Sequence, residues 1–267
     1  MGGEDLFSAL GSIANALFLI ASVYIYVALL RQINRRDLIA TDRGFGAAEV
    51  ALAVFLIAVF AFSSLGASSA QIVRLRTPDL ILNAIVAIGM VLFVAAFLKL
   101  RRFNISELAG LGRLSFARAF LTGLVLLIFA YPLIIFSDWL TARLLGSGSS
   151  RQGIIELFSA SQSMEQRVII ILLATVVAPV AEEFIFRFFL YGVLRRYLGR
   201  SIGLIVSALL FAAVHVHLPS FAPLFALGIC FTLAYEWSGS LLVSMTMHAI
   251  FNAITLLALA FPDTLQP

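Results

Sequence analysis

A chain of 267 residues that is 62% hydrophobic and 12% charged, with a mean hydropathy of +1.06, is far more apolar than the roughly 45–50% of a water-soluble domain and is excluded from that class. Its apolar runs are continuous and lack the two-residue alternation of a barrel strand, so it crosses the bilayer as helices. The formal charge of +4 does not signal a nucleic-acid partner, because the basic residues flank apolar runs, where a membrane protein uses them.

A spanning helix needs about 20 mostly apolar residues. Eight such segments are expected, at about 7–30, 47–66, 80–98, 119–142, 168–192, 201–217, 221–236 and 240–261. The first is preceded by Glu4 and Asp5 and runs into the basic stretch from Arg31 to Arg36, which marks a retained anchor rather than a cleavable leader. The loops after the first, third and fifth segments hold twelve basic residues: Arg31, Arg35, Arg36, Arg43, Lys99, Arg101, Arg102, Arg113, Arg118, Arg195, Arg196 and Arg200. The loops after the second and fourth hold five, Arg74, Arg76, Arg143, Arg151 and Arg167. That asymmetry places both termini on the non-cytoplasmic side. Trp139 and Trp237, near segment ends, read as interfacial anchors. Residues 99–118 mix basic and apolar side chains and are expected to lie along the surface as an interfacial helix. The Gly- and Ser-rich stretch from Gly146 separates the first four segments from the last four. The single cysteine, Cys230, rules out an intrachain disulfide and argues against a thiolate metal cluster.

The expected fold is an all-α polytopic membrane protein with about eight transmembrane helices in one bundle. Residues 1–118 form the N-terminal helices and interfacial linker, and residues 119–267 a chemically richer C-terminal set.

Ionisable groups within a span cost at least a few kcal/mol each at the helix centre, so they face the bundle interior and pair or act. The last four segments hold three sets of polar residues: Glu182, Glu183 and Arg187; His215, with Phe211 before it and His217 behind; and His248 with Asn252. Glu183 and Arg187 are four apart with the carboxylate first, the favourable orientation for an ion pair. Glu182 lies about 100° around the helix and is left available. Pro179, just upstream, removes a helix hydrogen bond and is expected to kink the segment there. If these segments pack together, Glu182 and His215 hold and deprotonate a water while His248 and Asn252 donate to a developing oxyanion. The same Glu182, His215 and His248 are also reasonable zinc ligands with an open fourth position, although no HExxH is present. Taken singly, each residue has an ordinary explanation. Glu183 and Arg187 form a buried packing pair, His215 and Asn252 bond to neighbouring helices, His217 sits at the membrane edge beside Pro219, and Arg195 and Arg196 snorkel. Only their convergence favours chemistry.

The ordered stretches EEFIFR (Glu182, Glu183, Arg187), FAAVH (Phe211, His215) and HAIFN (His248, Asn252) resemble the EExxxR, FxxxH and HxxxN motifs of the CPBP family of intramembrane proteases. That family includes the type II CAAX prenyl endopeptidases and bacterial proteins linked to bacteriocin processing and self-immunity. The resemblance covers roughly residues 165–257. It implies a membrane-embedded endopeptidase in which Glu182 and His215 activate water, His248 and Asn252 form the oxyanion site, Glu183 and Arg187 order the site, and Phe211 packs under it. It further implies a glutamate-based mechanism without a cofactor, zinc being the alternative, and a peptide or membrane-protein substrate. The short chain points to a prokaryotic plasma membrane, and no prenylated substrate is assigned. The competing class is a non-enzymatic membrane scaffold or immunity-type partner, whose polar cluster fixes packing. A proton-coupled transporter ranks below both, since paired Gly/Pro-broken helices in matching halves are missing.

Overall fold

The computed structural model describes residues 3–36, 44–68, 77–146, 161 and 163–260, and those described residues contain helices and no strand. The helices are α1 (Gly3–Arg36), α2 (Ala47–Ser68), α3 (Thr77–Leu100), the four-residue α4 (Ile105–Leu108), α5 (Phe116–Leu145), α6 (Met164–Leu198), α7 (Arg200–Ala213), α8 (Phe221–Ser238) and α9 (Leu241–Ala260). The three-residue 3₁₀ turn Leu218–Ser220 feeds α8.

Among the described residues, seven helices are long and apolar enough to cross a membrane: α1, α2, α3, α5, α6, α9, and α8 together with the turn that leads into it. The expected sixth span, 201–217, is the exception. Its helix α7 has 14 residues and reaches about 21 Å at 1.5 Å per residue, short of a hydrocarbon core of about 30 Å. The chain leaves the helix after Ala213 and turns through Val216 at φ 50.

At the centre, α5 packs against α1, α8 and α9, while α7 lies between α8 and the end of α6, and α3 lies along α6. Small residues let these backbones approach, as membrane helices require in the absence of a hydrophobic drive between them. A Cβ on Gly123 of α5 would stand 2.6 Å from Thr246 Oγ1 of α9, and one on Gly228 of α8 would stand 3.2 Å from Ala208 of α7. Apolar side chains of α1, α2 and α3 remain exposed along their lengths, while most of α8 is enclosed. The first helices therefore form a lipid-facing wall around an interior built mainly from the last four.

Two local expectations are corrected. Residues 99–118 do not form an interfacial helix. α4 is one turn, capped where Asn104 Oδ1 accepts from Glu107 N, and the following turn docks on the α8–α9 connection. There Leu241 N donates to Ala109 O at 2.9 Å. Gly110 lies so close that any Cβ would meet Gly239 O at 1.8 Å. Arg195 does not snorkel: it is 8% exposed and paired with Glu236 of α8. Arg196 alone of the two is exposed. Trp237 lies at a helix end and donates from Nε1 to Gln32 Oε1 at 2.8 Å, tying α8 to α1. Gly146, at φ 71, ends α5; the rest of the Gly/Ser-rich stretch, with Arg43, Arg74, Arg76 and Arg151, lies outside the described residues.

Candidate active site

The site forms where α6, α7 and α9 meet. α6 is not a regular α-helix: Leu173–Val177 and Glu183–Leu190 have π spacing, a rare geometry that concentrates at functional sites. Pro179 supplies the local reason. Ala178 N donates to Leu173 O, five residues back. The next amide in that register would serve Ala174 O, but residue 179 is proline and has none. Asn252 Nδ2 of α9 donates to that carbonyl instead, at 2.8 Å. The expected disturbance at Pro179 is thus a widening of the helix joined to a neighbouring span.

Glu183 and Glu182 diverge as their spacing requires. Glu183 is fully buried, at 0% exposure, and Oε1 lies 2.9 Å from Arg187 Nη1 and 2.9 Å from His248 Nδ1. Arg187 is buried, and its guanidinium carbon stands 4.0 Å from the Phe211 ring and 5.1 Å from that of Phe231, a cation–π arrangement that compensates for lost hydration. Glu182 retains 29% side-chain exposure, with Oε2 3.8 Å from His248 Nε2, beyond hydrogen-bond range. His248 therefore stands between the two carboxylates, bonded to one and facing the other, with Phe231 stacked on it at 4.9 Å.

His215 Nδ1 lies 2.7 Å from Phe211 O. A carbonyl only accepts, so Nδ1 carries the proton, and the neutral ring keeps its lone pair on Nε2. Phe211 is the shared floor: its ring makes edge contacts with His215 at 4.9 Å and His248 at 5.9 Å. A cavity of about 350 Å³ is lined by Glu182, His215, His248 and Asn252, with Phe211 below and Leu224, Leu227 and Leu256 among its apolar walls. A second cavity, about 270 Å³, meets Glu182 and His215 from the side of Phe60, Ala87 and Met90.

Of the seven motif residues, Glu182, Phe211, His215, His248 and Asn252 line one cavity, while Glu183 and Arg187 are buried beside it, in contact with His248 and the Phe211 ring. The zinc alternative fits less well, because no three His, Cys, Asp or Glu side chains among the described residues are arranged to hold a metal ion; the Nδ1 bonds of His248 to Glu183 and of His215 to a carbonyl do not weigh against it, since they leave both Nε2 atoms available. His217, read as a membrane-edge residue, lines the same cavity. Glu236 was missed altogether. It is buried at the base of α8 with Arg195 on one side and Arg200 Nε 3.2 Å from Oε2 on the other. The available signal was an acid inside an apolar segment.

Residues 164–254 match the family model described as type II CAAX prenyl endopeptidase Rce1-like. Among curated proteins, the chain is 30% identical over 105 residues to the membrane-embedded CAAX protease MroQ of Staphylococcus aureus (strain USA300), covering 37% of this chain and 42% of that protein. It is 38% identical over 88 residues to the uncharacterized protein YpbD of Bacillus subtilis (strain 168), covering 32% of this chain and again 42% of the relative. The chain thus spans about two fifths of the length of the curated relatives it matches. No solved structure matches. The matched segment contains all three motifs and every residue of the cluster, and the resemblance to the CPBP family read from EExxxR, FxxxH and HxxxN is borne out.

Proposed function

We propose that this integral, multi-pass membrane protein is an endopeptidase that hydrolyses a peptide bond near a membrane-presented polypeptide terminus. The observation that carries the reading is the division of labour between adjacent carboxylates. Glu183 is consumed by Arg187 and His248, whereas Glu182 opens onto a cavity shared with His215, His248 and Asn252. A carboxylate left over beside an imidazole lone pair is the arrangement that activates water.

In this reading Glu182 and His215 Nε2 hold a water and remove its proton as the oxygen attacks the scissile carbonyl carbon. His248, once both ring nitrogens carry protons, donates from Nε2 to the developing oxyanion. Asn252 adds its second amide hydrogen, the first being occupied by Ala174 O. Glu183 fixes the His248 ring, Arg187 neutralises Glu183, and Phe211 supports both histidines. The proton taken from water passes to the leaving amine as the tetrahedral intermediate collapses. No step requires a metal. The positive-inside count favours both termini outside a prokaryotic plasma membrane; that orientation needs an even number of crossings, with the 14-residue α7 and its turn passing through a locally thinned bilayer.

The test is cleavage of a quenched-fluorescent membrane-peptide library by purified protein in nanodiscs, wild type beside Glu182→Ala, with and without a zinc chelator. Turnover that the mutant loses and the chelator leaves intact is expected. Full activity in Glu182→Ala would sink the reading, and chelator-sensitive turnover restored by zinc would replace it with a metal mechanism. The scaffold alternative draws on the Asn252 and Arg187 ties; it predicts no turnover in wild type, and joint loss of stability and partner binding in the variants.

A further inference from the structure

The motifs leave one histidine of the cavity without a role. If α7 continued as a helix, His217 would lie about 200° around its axis from His215 and turn away from the site. The chain instead leaves the helix at Val214, and Val216 adopts φ 50, a left-handed conformation that is a genuine outlier for a β-branched residue. Strain of this kind persists only where the surroundings hold it, and it gathers at functional sites. Its effect here is specific: His215 and His217, on either side of Val216, both line the 350 Å³ cavity.

The second ring is also pinned. His217 Nδ1 lies 2.7 Å from the hydroxyl of Ser220, which is fully buried, and Ser220 N donates back to His217 O at 3.0 Å. This reciprocal pair closes the Leu218-Pro219-Ser220 turn and fixes the imidazole plane. One ring nitrogen is engaged with Ser220, and Nε2 is the ring's other polar atom. The walls nearby in sequence, Leu224 and Leu227 of α8, are apolar. A mostly apolar pocket with a few fixed polar groups is the usual design for orienting a bound molecule, and four of its polar groups are already assigned to the reaction.

We propose that His217 is a substrate-contacting residue, which hydrogen-bonds the backbone of the bound polypeptide through Nε2 and orients it across Glu182 and His215. This rests on the reading of the cavity as a peptidase site. The contact persists from ground state to transition state, so its loss raises KM and leaves kcat unchanged.

Two substitutions separate this role from that of a turn-former. Asparagine at 217 carries a polar atom near the position of Nδ1 and none near Nε2; glutamine does the reverse. Kinetics of His217→Asn and His217→Gln are measured with the best-cleaved library peptide. Binding of that peptide is measured in nanodiscs to Glu182→Gln protein carrying each second change; if wild type cleaves none, the peptide held most tightly by Glu182→Gln serves. The expected result is about tenfold weaker binding and about tenfold higher KM for His217→Asn, with glutamine restoring both. Recovery by asparagine and not glutamine, equal binding in all variants, or no peptide bound by Glu182→Gln would each overturn the proposal. Binding that depends on His217 in a protein that cleaves nothing would leave this contact standing and remove the peptidase reading instead.

Discussion

The interior holds two acid–arginine clusters that differ in what is left over. Around Glu236, each carboxylate oxygen lies within ion-pair distance of a guanidinium, one of Arg195 and one of Arg200. Arg200 reaches on to Asn34 Oδ1 at 2.9 Å, so the cluster joins α1, α6, α7 and α8. Around Glu183, the pairing with Arg187 and His248 is equally buried, yet the neighbouring carboxylate of Glu182 faces a cavity. Buried charge alone therefore does not mark a reactive site. What marks it is acid capacity beyond that needed for pairing, next to space for a substrate.

The largest effect that would break this distinction is expected at Glu182. Exchange for glutamine preserves shape and removes the charge, and peptide cleavage should fall by about 10²–10⁴-fold, with the melting temperature close to wild type. A parallel drop in stability would make Glu182 another packing group. Glu236→Gln should do the opposite: leaving the buried Arg195 and the half-buried Arg200 short of a counter-charge costs up to about 3–5 kcal/mol. That loss is read as thermal unfolding in detergent, while the folded fraction keeps its specific activity. Asn252→Ala sharpens the comparison because Asn252 belongs to both descriptions. It should lower turnover by about 10²–10³-fold as a lost oxyanion donor, with a stability loss of about 1–3 kcal/mol from the orphaned Ala174 carbonyl. Loss of stability without loss of turnover would assign Asn252 to packing alone.

Much of the site was legible because its logic is local. The four-residue spacing from Glu183 to Arg187 pairs them and sets Glu182 apart, and the His248-to-Asn252 spacing gives one face of α9. Spans other than the sixth follow from continuous apolar length. Glu236 was hidden because its partner Arg195 is 41 residues away, and nothing in either local pattern links a helix-end arginine to an acid two helices later. The shortness of α7 was hidden for a different reason: Val214, Val216 and Leu218 look apolar to any hydropathy window, which cannot register the reversal at Val216. The place of His217 in the cavity was hidden for that same reason. The docking of Gly110 on Gly239 is a backbone contact between distant turns, invisible to side-chain patterning.

The proline in α6 places helix regularity and interhelical connection in competition. Ala174 O is offered to Asn252 because residue 179 has no amide to claim it. Pro179→Ala would give α6 the donor it lacks and so create a rival for the same acceptor. A change that scores as an improvement by every intrinsic helix propensity would then release α9 from α6. The expected signature is faster amide exchange in α9 around Asn252 alongside a new, protected amide at residue 179, where the wild-type proline has none; unchanged exchange in α9 would show that the two donors share the carbonyl.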